Sequence, residues 1–372
     1  MIKKNNIDKI FFGIVISLVV IGLITFTSAS LGILAKNEAK FYSVISGQFI
    51  FGFLGGMIAL FIGLKIPYKS LRKYSLILFI ISIILTGLVL VPGIGQSHGG
   101  ARRWIDILGY SFQPVEFLKI GFIIYFAAWL SWAKGKVKDP LFSILPLIIF
   151  LGIIAAVLLK QPDTKSIILI TITALIMLFV SGAPLKYILG ILGVAVIAFF
   201  ILVSFKPYLK DRVNTFLRPG ENSRGSSYQL QQSLIAVGSG GVIGRGLGQS
   251  IQKFNYLPEP QGDSIFAVIG EELGFVGNSI LIFLYVAFAL RGFRIALRNA
   301  PDSFSKLLVI GFITIITAQS FMNIASIIGV FPLTGVPLVF ISHGGTALLL
   351  SLGMVGVILS ISRFQSKPIL ER

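Results

Sequence analysis

Apolar residues dominate ten stretches of this chain, at about 11–34, 44–64, 74–91, 115–132, 141–159, 164–181, 185–204, 264–290, 304–325 and 345–362. Most approach the roughly 20 residues an α-helix needs to cross the hydrocarbon core of a bilayer. Charged residues gather between them. The pattern predicts an all-α integral membrane protein of ten transmembrane helices, forming one domain over residues 1–372. An even number of spans puts both termini on the same side. Eighteen Lys and Arg in short loops and termini fall on that side and six on the other. The excess of positive charge places both termini in the cytoplasm. The opening MIKKNNIDK and the apolar run behind it look like a signal peptide, with Ser28, Ala29 and Ser30 for cleavage. The run extends to about Leu34 and no soluble domain follows, so it is read as the first span.

Three outer connections interrupt the pattern. The longest, Phe205 to Asp263, is about 60 residues. A connection of that length between packed helices is usually functional. It holds an amphipathic piece, Ser227 to Val237, expected to lie at the membrane surface. A glycine-rich run, Gly238 to Gly248, follows. Those glycines do not follow a strand, so a nucleotide-binding fingerprint fits poorly. Close approach to a lipid phosphate and a simple tight turn are equal alternatives. The second connection, Gln96 to Pro114, sets Arg102 and Arg103 beside Trp104. It reads as an interfacial belt or as an anion-binding rim. The third, Ile327 to Gly345, is apolar but broken by Pro332, Gly335 and Pro337. Broken backbone cannot face lipid, so a re-entrant outer loop packed in protein is expected.

Composition sharpens the class. The chain is 55% hydrophobic and 12% charged, with mean hydropathy +0.92, which excludes a soluble domain of this length. The absence of cysteine removes disulfides and thiolate metal sites. The two histidines, His98 and His343, are too few for a histidine zinc site. The formal charge of +18 could suit nucleic acid or anionic lipid. Because the charges sit between apolar spans, a lipid head group or phosphorylated lipid is the expected partner and nucleic acid is not.

Candidate chemistry concentrates in YLPEPQGDSIFAVIGEELG, Tyr256 to Gly274. Two prolines and a glycine make a rigid turn that ends at Asp263, ahead of a long apolar helix. An acid there commonly caps the helix; a catalytic carboxylate is the alternative. Glu116 and Lys119, three apart in the fourth span, share a helix face and can pair. Charges inside a bilayer either line a polar cavity or simply satisfy each other. Asp163, between Lys160 and Lys165, reads as a helix cap. Of Glu271 and Glu272, at least one should face the interior. Polar residues thus converge on the outer half. A transporter would place its site near the midplane. An outer cavity under a long loop suits an enzyme acting on a lipid-linked substrate outside the cytoplasm.

The ordered motifs carry a resemblance over nearly the whole chain. They are Thr27 to Ser30, Gly100 to Ile105, Phe112 to Glu116 with Lys119, Gln161 to Asp163, and Tyr228 to Ser233. Gly238 to Gly241, Leu257 to Glu259 through Asp263, Phe266 to Glu272, Pro337 to Ser342, and Ser360 to Arg363 complete the set. Together they resemble the SEDS family of bacterial cell-wall synthesis (RodA, FtsW and SpoVE), with features nearer the FtsW branch. The resemblance implies a peptidoglycan glycosyltransferase that polymerises lipid II at the outer face of the cytoplasmic membrane. It implies a class B penicillin-binding protein and other divisome or elongasome membrane proteins as partners, and a divalent cation, Mg²⁺ or Mn²⁺. It makes Asp263 the catalytic acid. It assigns Arg102, Arg103, Trp104, Glu116, Lys119, Asp163, Ser233 and Glu259 to substrate. Gln261-Gly262 stand where the family often has His-Thr, His343 where a Tyr is usual, and Val115 where a Ser is usual. Thr164-Lys165-Ser166 replace the common Leu-Gly-Thr, which adds a cation close to Asp163. A lipid II flippase and a non-catalytic division scaffold are the alternative functions.

Overall fold

The computed structural model describes residues 6–98, 101–107, 109–218 and 225–364. Lys3, Lys4, Gly100, Lys367 and Arg372 lie outside the described residues. The elements in order are α1 (Lys9–Leu34), α2 (Glu38–Ser46), α3 (Gly55–Lys65), α4 (Tyr68–Lys73), α5 (Ser75–Leu88), β1 (Gly95–His98), β2 (Ala101–Ile107), β3 (Tyr110–Phe112), α6 (Pro114–Trp132) and α7 (Pro140–Leu158). They continue with α8 (Thr164–Val180), α9 (Leu185–Phe205), α10 (Pro207–Leu217), α11 (Ser226–Ser239), α12 (Ile265–Arg298), α13 (Ser303–Ile327) and α14 (Gly345–Ser362). A π-helical stretch, Gly47–Leu54, joins α2 to α3. Every apolar stretch of the sequence is helical. Eight are long and apolar enough to cross a membrane; α5 with 14 residues and α8 with 17 are shorter.

Helix α13 is the hub. It is buried along nearly its whole length and packs against α6, α8, α12 and α14. Helix α9 is its opposite, with no buried residue, and Val194, Ile197 and Phe200 stand exposed on it. In a bilayer such side chains are as well solvated by lipid tails as by protein. Small residues let α3 and α14 approach closely. A side chain at Gly356 would meet the Leu60 carbonyl at 2.2 Å.

Both ends of the described chain sit at one end of the bundle. The Asp8 N–H donates to Ser362 Oγ (3.0 Å). The Asp8 carboxylate accepts from Phe11 N (2.9 Å), capping α1, and pairs with Arg291 (2.8 Å).

At the other end, the stretch read as a polar rim is a three-stranded antiparallel sheet in the order β1-β2-β3, an addition to the all-α plan. Thr346 Oγ1 donates to the Ser111 carbonyl (3.1 Å) and accepts from Gln113 N (3.3 Å), fastening the sheet to α14. The expected interfacial helix is α11. It packs on α12, with Val237 against Gly270, buries Leu230 and Ala236, and leaves Leu234 and Ile235 exposed.

At about 1.5 Å per residue the 34 residues of α12 exceed a ~30 Å hydrocarbon core. The helix is broken at Gly274 (φ 66°, ψ −164°), a backbone region open essentially only to glycine. The break frees backbone groups that lipid could not satisfy. The glycine-rich run supplies their partners. Arg245 N donates to Glu271 O and Gly246 N to Glu272 O, both at 3.0 Å. Phe275 N donates to Gly241 O (2.9 Å) and Val276 N to Val242 O (3.1 Å). The close approach these glycines permit is therefore to α12 itself. Alanine at Gly274 would put its Cβ 2.3 Å from Gly244 N. Gly274→Ala should cost about 3 kcal/mol, the upper end for one residue forced into such backbone. An unchanged melting temperature in detergent would contradict that.

The break in hydropathy at Ile327 to Gly345 is a non-helical segment, residues 328–344, with Leu333, Val336, Leu338, Val339 and Ile341 buried. Helix backbone would satisfy its own carbonyls; here side chains of other elements do. Arg212 donates to Thr334 O (2.9 Å), Lys165 to Gly335 O, Asn323 to Val336 O (2.8 Å), Gln319 to Pro337 O (3.3 Å) and Tyr285 to Val339 O.

Candidate active site

Asp263 lies on the turn-rich approach to α12, half-buried, beneath α11 and beside segment 328–344. It does not cap α12. The N-cap residue is Ser264, which makes no capping bond. The Asp263 carboxylate turns to α11 instead, where Gln229 Nε2 donates to its Oδ1 (3.2 Å) and to Ser264 Oγ (3.0 Å). The Asp263 carbonyl accepts from Asn323 Nδ2 (2.7 Å) on α13. Its other oxygen faces Gly335. A side chain there would begin 3.3 Å from Asp263 Oδ2, 3.9 Å from Arg212 Nη2 and 3.9 Å from Lys165 Nζ. Gly335 has φ +63°, so glycine suits both the backbone and the gap. One carboxylate and two cations thus converge on Gly335.

Withdrawal from water pushes the Asp263 carboxyl above the usual carboxylate range; the Lys165 ammonium opposes the rise and the Glu259 carboxylate adds to it. Three buried polar atoms nearby have no partner among the described residues: Gln261 Oε1, Asn323 Oδ1 and Thr334 Oγ1.

Glu116 and Lys119 pair as their spacing predicts, at 2.7 Å and buried. Lys119 Nζ also donates to Gln319 Oε1 (2.7 Å), and Gln319 reaches Pro337 O. The pair thus reaches segment 328–344 through Gln319. Asp163 is fully buried and caps α8, accepting from Ser166 N (3.4 Å) and Ser166 Oγ (2.9 Å). Arg103 Nε donates to Gln161 O (3.0 Å) and its Nη2 to Pro162 O, tying the sheet to the turn before α8. Arg102, its neighbour on β2, is exposed; Trp104 is half-buried. Glu259 is exposed, four residues before Asp263.

A family model described as cell cycle protein, FtsW/RodA/SpoVE, matches residues 8–367. The chain belongs to the FtsW/RodA/SpoVE family. It is 38% identical over 367 residues to stage V sporulation protein E of Bacillus subtilis, covering 97% of this chain and 98% of that protein. It is 37% identical to a probable peptidoglycan glycosyltransferase FtsW of Trichlorobacter lovleyi, covering 95% and 93%. A solved chain from a peptidoglycan synthase complex superposes with TM-score 0.77 at 25% identity, over 96% of this chain and 98% of that one. The rod shape determining protein RodA of Thermus thermophilus shares the fold, with TM-score 0.70 at 24% identity over 97% and 98% of the two chains.

Ser233 is fully buried in α11, its hydroxyl donating to the Gln229 carbonyl one turn back (2.8 Å). Glu271 and Glu272 both face the interior, where at least one of them was expected. They hold the loop through Ser250 Oγ (2.6 Å to Glu271), Ile251 N (3.0 Å to Glu271) and Lys253 Nζ (2.7 Å to Glu272). Lys165, Gln229, Gln319 and Asn323 complete the site without having been singled out for it. Gln319 and Asn323 did carry a signal, being polar residues four apart in an apolar span.

No three acidic or histidine side chains converge among the described residues, so this chain alone builds no closed cage. Mg²⁺ usually takes one or two protein carboxylates and completes its shell with substrate phosphates and water. Asp263 and Glu259 provide that number.

Proposed function

We propose that this protein is a peptidoglycan glycosyltransferase that joins lipid II units into glycan strands at the outer face of the bacterial cytoplasmic membrane. The observation that carries the reading is the convergence of Asp263, Lys165 and Arg212 around Gly335. A hydroxyl nucleophile is weak and needs a positioned base. Asp263 takes the proton from the 4-hydroxyl of one sugar as its oxygen attacks the anomeric carbon of the other. The bond from that carbon to the diphosphate breaks, and its electron pair leaves with the lipid diphosphate. Positive charge set where that anion develops lowers the barrier, and we assign that task to Arg212, which reaches Thr334 O beside Gly335. A divalent ion held by the diphosphate with Asp263 and Glu259 would add Lewis-acid charge neutralisation. Polyprenyl tails pass between the helices.

A class B penicillin-binding protein is the proposed partner, because glycan made here needs crosslinking, and other divisome or elongasome membrane proteins join them. Both termini are proposed to be cytoplasmic, on the strength of the Lys and Arg bias. Purified protein with such a partner should convert lipid II to polymer in detergent. Transbilayer movement of lipid II without polymer would favour a flippase.

The raised proton affinity of Asp263 sets a pH dependence. A base works only when ionised, so the rate should be flat above its pKa and fall tenfold per pH unit below it. Because burial moves that pKa upward, the fall should begin above the pH expected of an ordinary carboxylate of pKa about 4. A rate independent of pH down to that value would remove Asp263 from the role of base.

A further inference from the structure

We propose that His343 binds the carbohydrate of the lipid-linked substrate, its imidazole hydrogen-bonding a neutral hydroxyl or amide group of the sugars. This deepens the glycosyltransferase reading and rests on it. His343 stands near the end of segment 328–344, and the backbone around it is clamped. Its N–H donates to Gln261 O (2.7 Å), on the turn that ends at Asp263. On one flank Gln48 Nε2 donates to Ser342 O (3.3 Å), and on the other Gly344 N donates to Gln48 Oε1 (3.1 Å). Gln48 belongs to the π-helical stretch and is buried. Three residues back, Phe340 is buried against Phe288 with φ +72°. Left-handed backbone at a bulky residue is costly and persists only where its surroundings fix it.

The side chain held this way is exposed, although Ile341 and Ser342 before it are buried. One face of the imidazole is covered by Phe26, itself fully buried, with centroids 5.8 Å apart and 14° between the planes. Among the described residues, neither ring nitrogen makes a hydrogen bond. Surrounding protein nevertheless withdraws the ring from water and pushes its pKa below the ordinary histidine value. A ring that is both accessible and withdrawn from water lines a recess rather than the outer surface. Two residues of chain span at most about 7 Å, so the bond to Gln261 keeps His343 close to Asp263. A neutral imidazole offers one N–H donor and one acceptor nitrogen. Sugar hydroxyl and N-acetyl groups are neutral and present both a donor and an acceptor, so they match it. The anionic diphosphate calls for cations instead, and Arg212 has that task.

Packing against Phe26 would also explain the ring, and the test separates the two roles. His343→Phe keeps the ring and its stacking but has no nitrogen, whereas His343→Gln keeps a neutral donor and acceptor. Each full-length variant and the wild type are titrated in detergent with three probes: lipid II, the lipid-linked disaccharide without its peptide, and undecaprenyl diphosphate. Polymerisation kinetics are measured in parallel with the penicillin-binding partner. His343→Phe should bind both sugar-bearing lipids about 2- to 10-fold more weakly, the worth of one neutral hydrogen bond. It should bind undecaprenyl diphosphate as the wild type does and keep its melting temperature, and His343→Gln should recover most of the loss. KM should rise by the same factor with kcat unchanged, the sign of binding lost equally in ground and transition states. Wild-type affinity for lipid II in His343→Phe would overturn the proposal in favour of packing. An equal loss toward undecaprenyl diphosphate, or a loss that disappears when the peptide is removed, would overturn the assignment to sugar. A wild-type protein that binds lipid II but makes no polymer would overturn the glycosyltransferase reading instead, and the binding comparison would still decide the role of His343.

Discussion

Asp263→Asn should reduce glycan polymerisation by about 10²- to 10⁴-fold, the usual contribution of a positioned general base, while the protein stays folded. Asparagine has the same shape and keeps an oxygen where Asp263 Oδ1 accepts from Gln229. The carbonyl bond from Asn323 involves backbone and is untouched. What disappears is the ability to hold a proton and the negative charge opposite Lys165 and Arg212. The measurement is polymer formed from lipid II by the purified variant with its penicillin-binding partner, alongside its melting temperature. Full polymer yield from a normally folded variant would sink the assignment. A scaffold or a flippase would have no need of this carboxylate, so the same experiment separates the three functions.

Lys253→Met should destabilise the protein by ~3–5 kcal/mol, the range for breaking one partner of a buried ion pair. The Lys253 side chain is completely buried. Its Nζ donates to Glu272 Oε1 (2.7 Å), Gly248 O (2.8 Å) and Ser28 Oγ (3.1 Å). Ser28 also donates to the Glu272 carboxylate (2.7 Å). Removing the ammonium leaves a carboxylate stranded in a region where water cannot compensate it. Adding Glu272→Gln removes that stranded charge, so the double variant should recover most of the loss. The readout is the melting temperature in detergent of both single variants and the double. Strictly additive losses would mean the two groups do not depend on each other. The loop from Lys253 runs straight to Asp263, so activity should fall with stability in the single variant and return with it in the double.

How much of this was legible beforehand depends on how local each feature is. The ten apolar stretches became helices because hydropathy and length are properties of contiguous sequence. The Glu116–Lys119 pair formed because three residues is one turn of helix. Asp163 capped α8 because the residue type and its position before an apolar run already specify a cap. Asp263 could be located but not interpreted from its own neighbourhood, since the same position suits a cap. Its partner on α11 decided otherwise. The glycine-rich run was ambiguous for a like reason. Small residues announce close approach, but what approaches is a broken helix more than twenty residues on.

By itself, then, the sequence determined a membrane-embedded helical bundle, its family and the region of its chemistry. Those follow from apolar run length and from residues adjacent along the chain or along one helix. The tertiary structure decided which polar groups serve each other. Segment 328–344 cannot satisfy its own carbonyls, so donors from α8, α10, α12 and α13 are drawn to it. That demand brings Lys165 and Arg212 to Asp263, and it cannot be read from any single stretch because the donors and acceptors belong to separate elements.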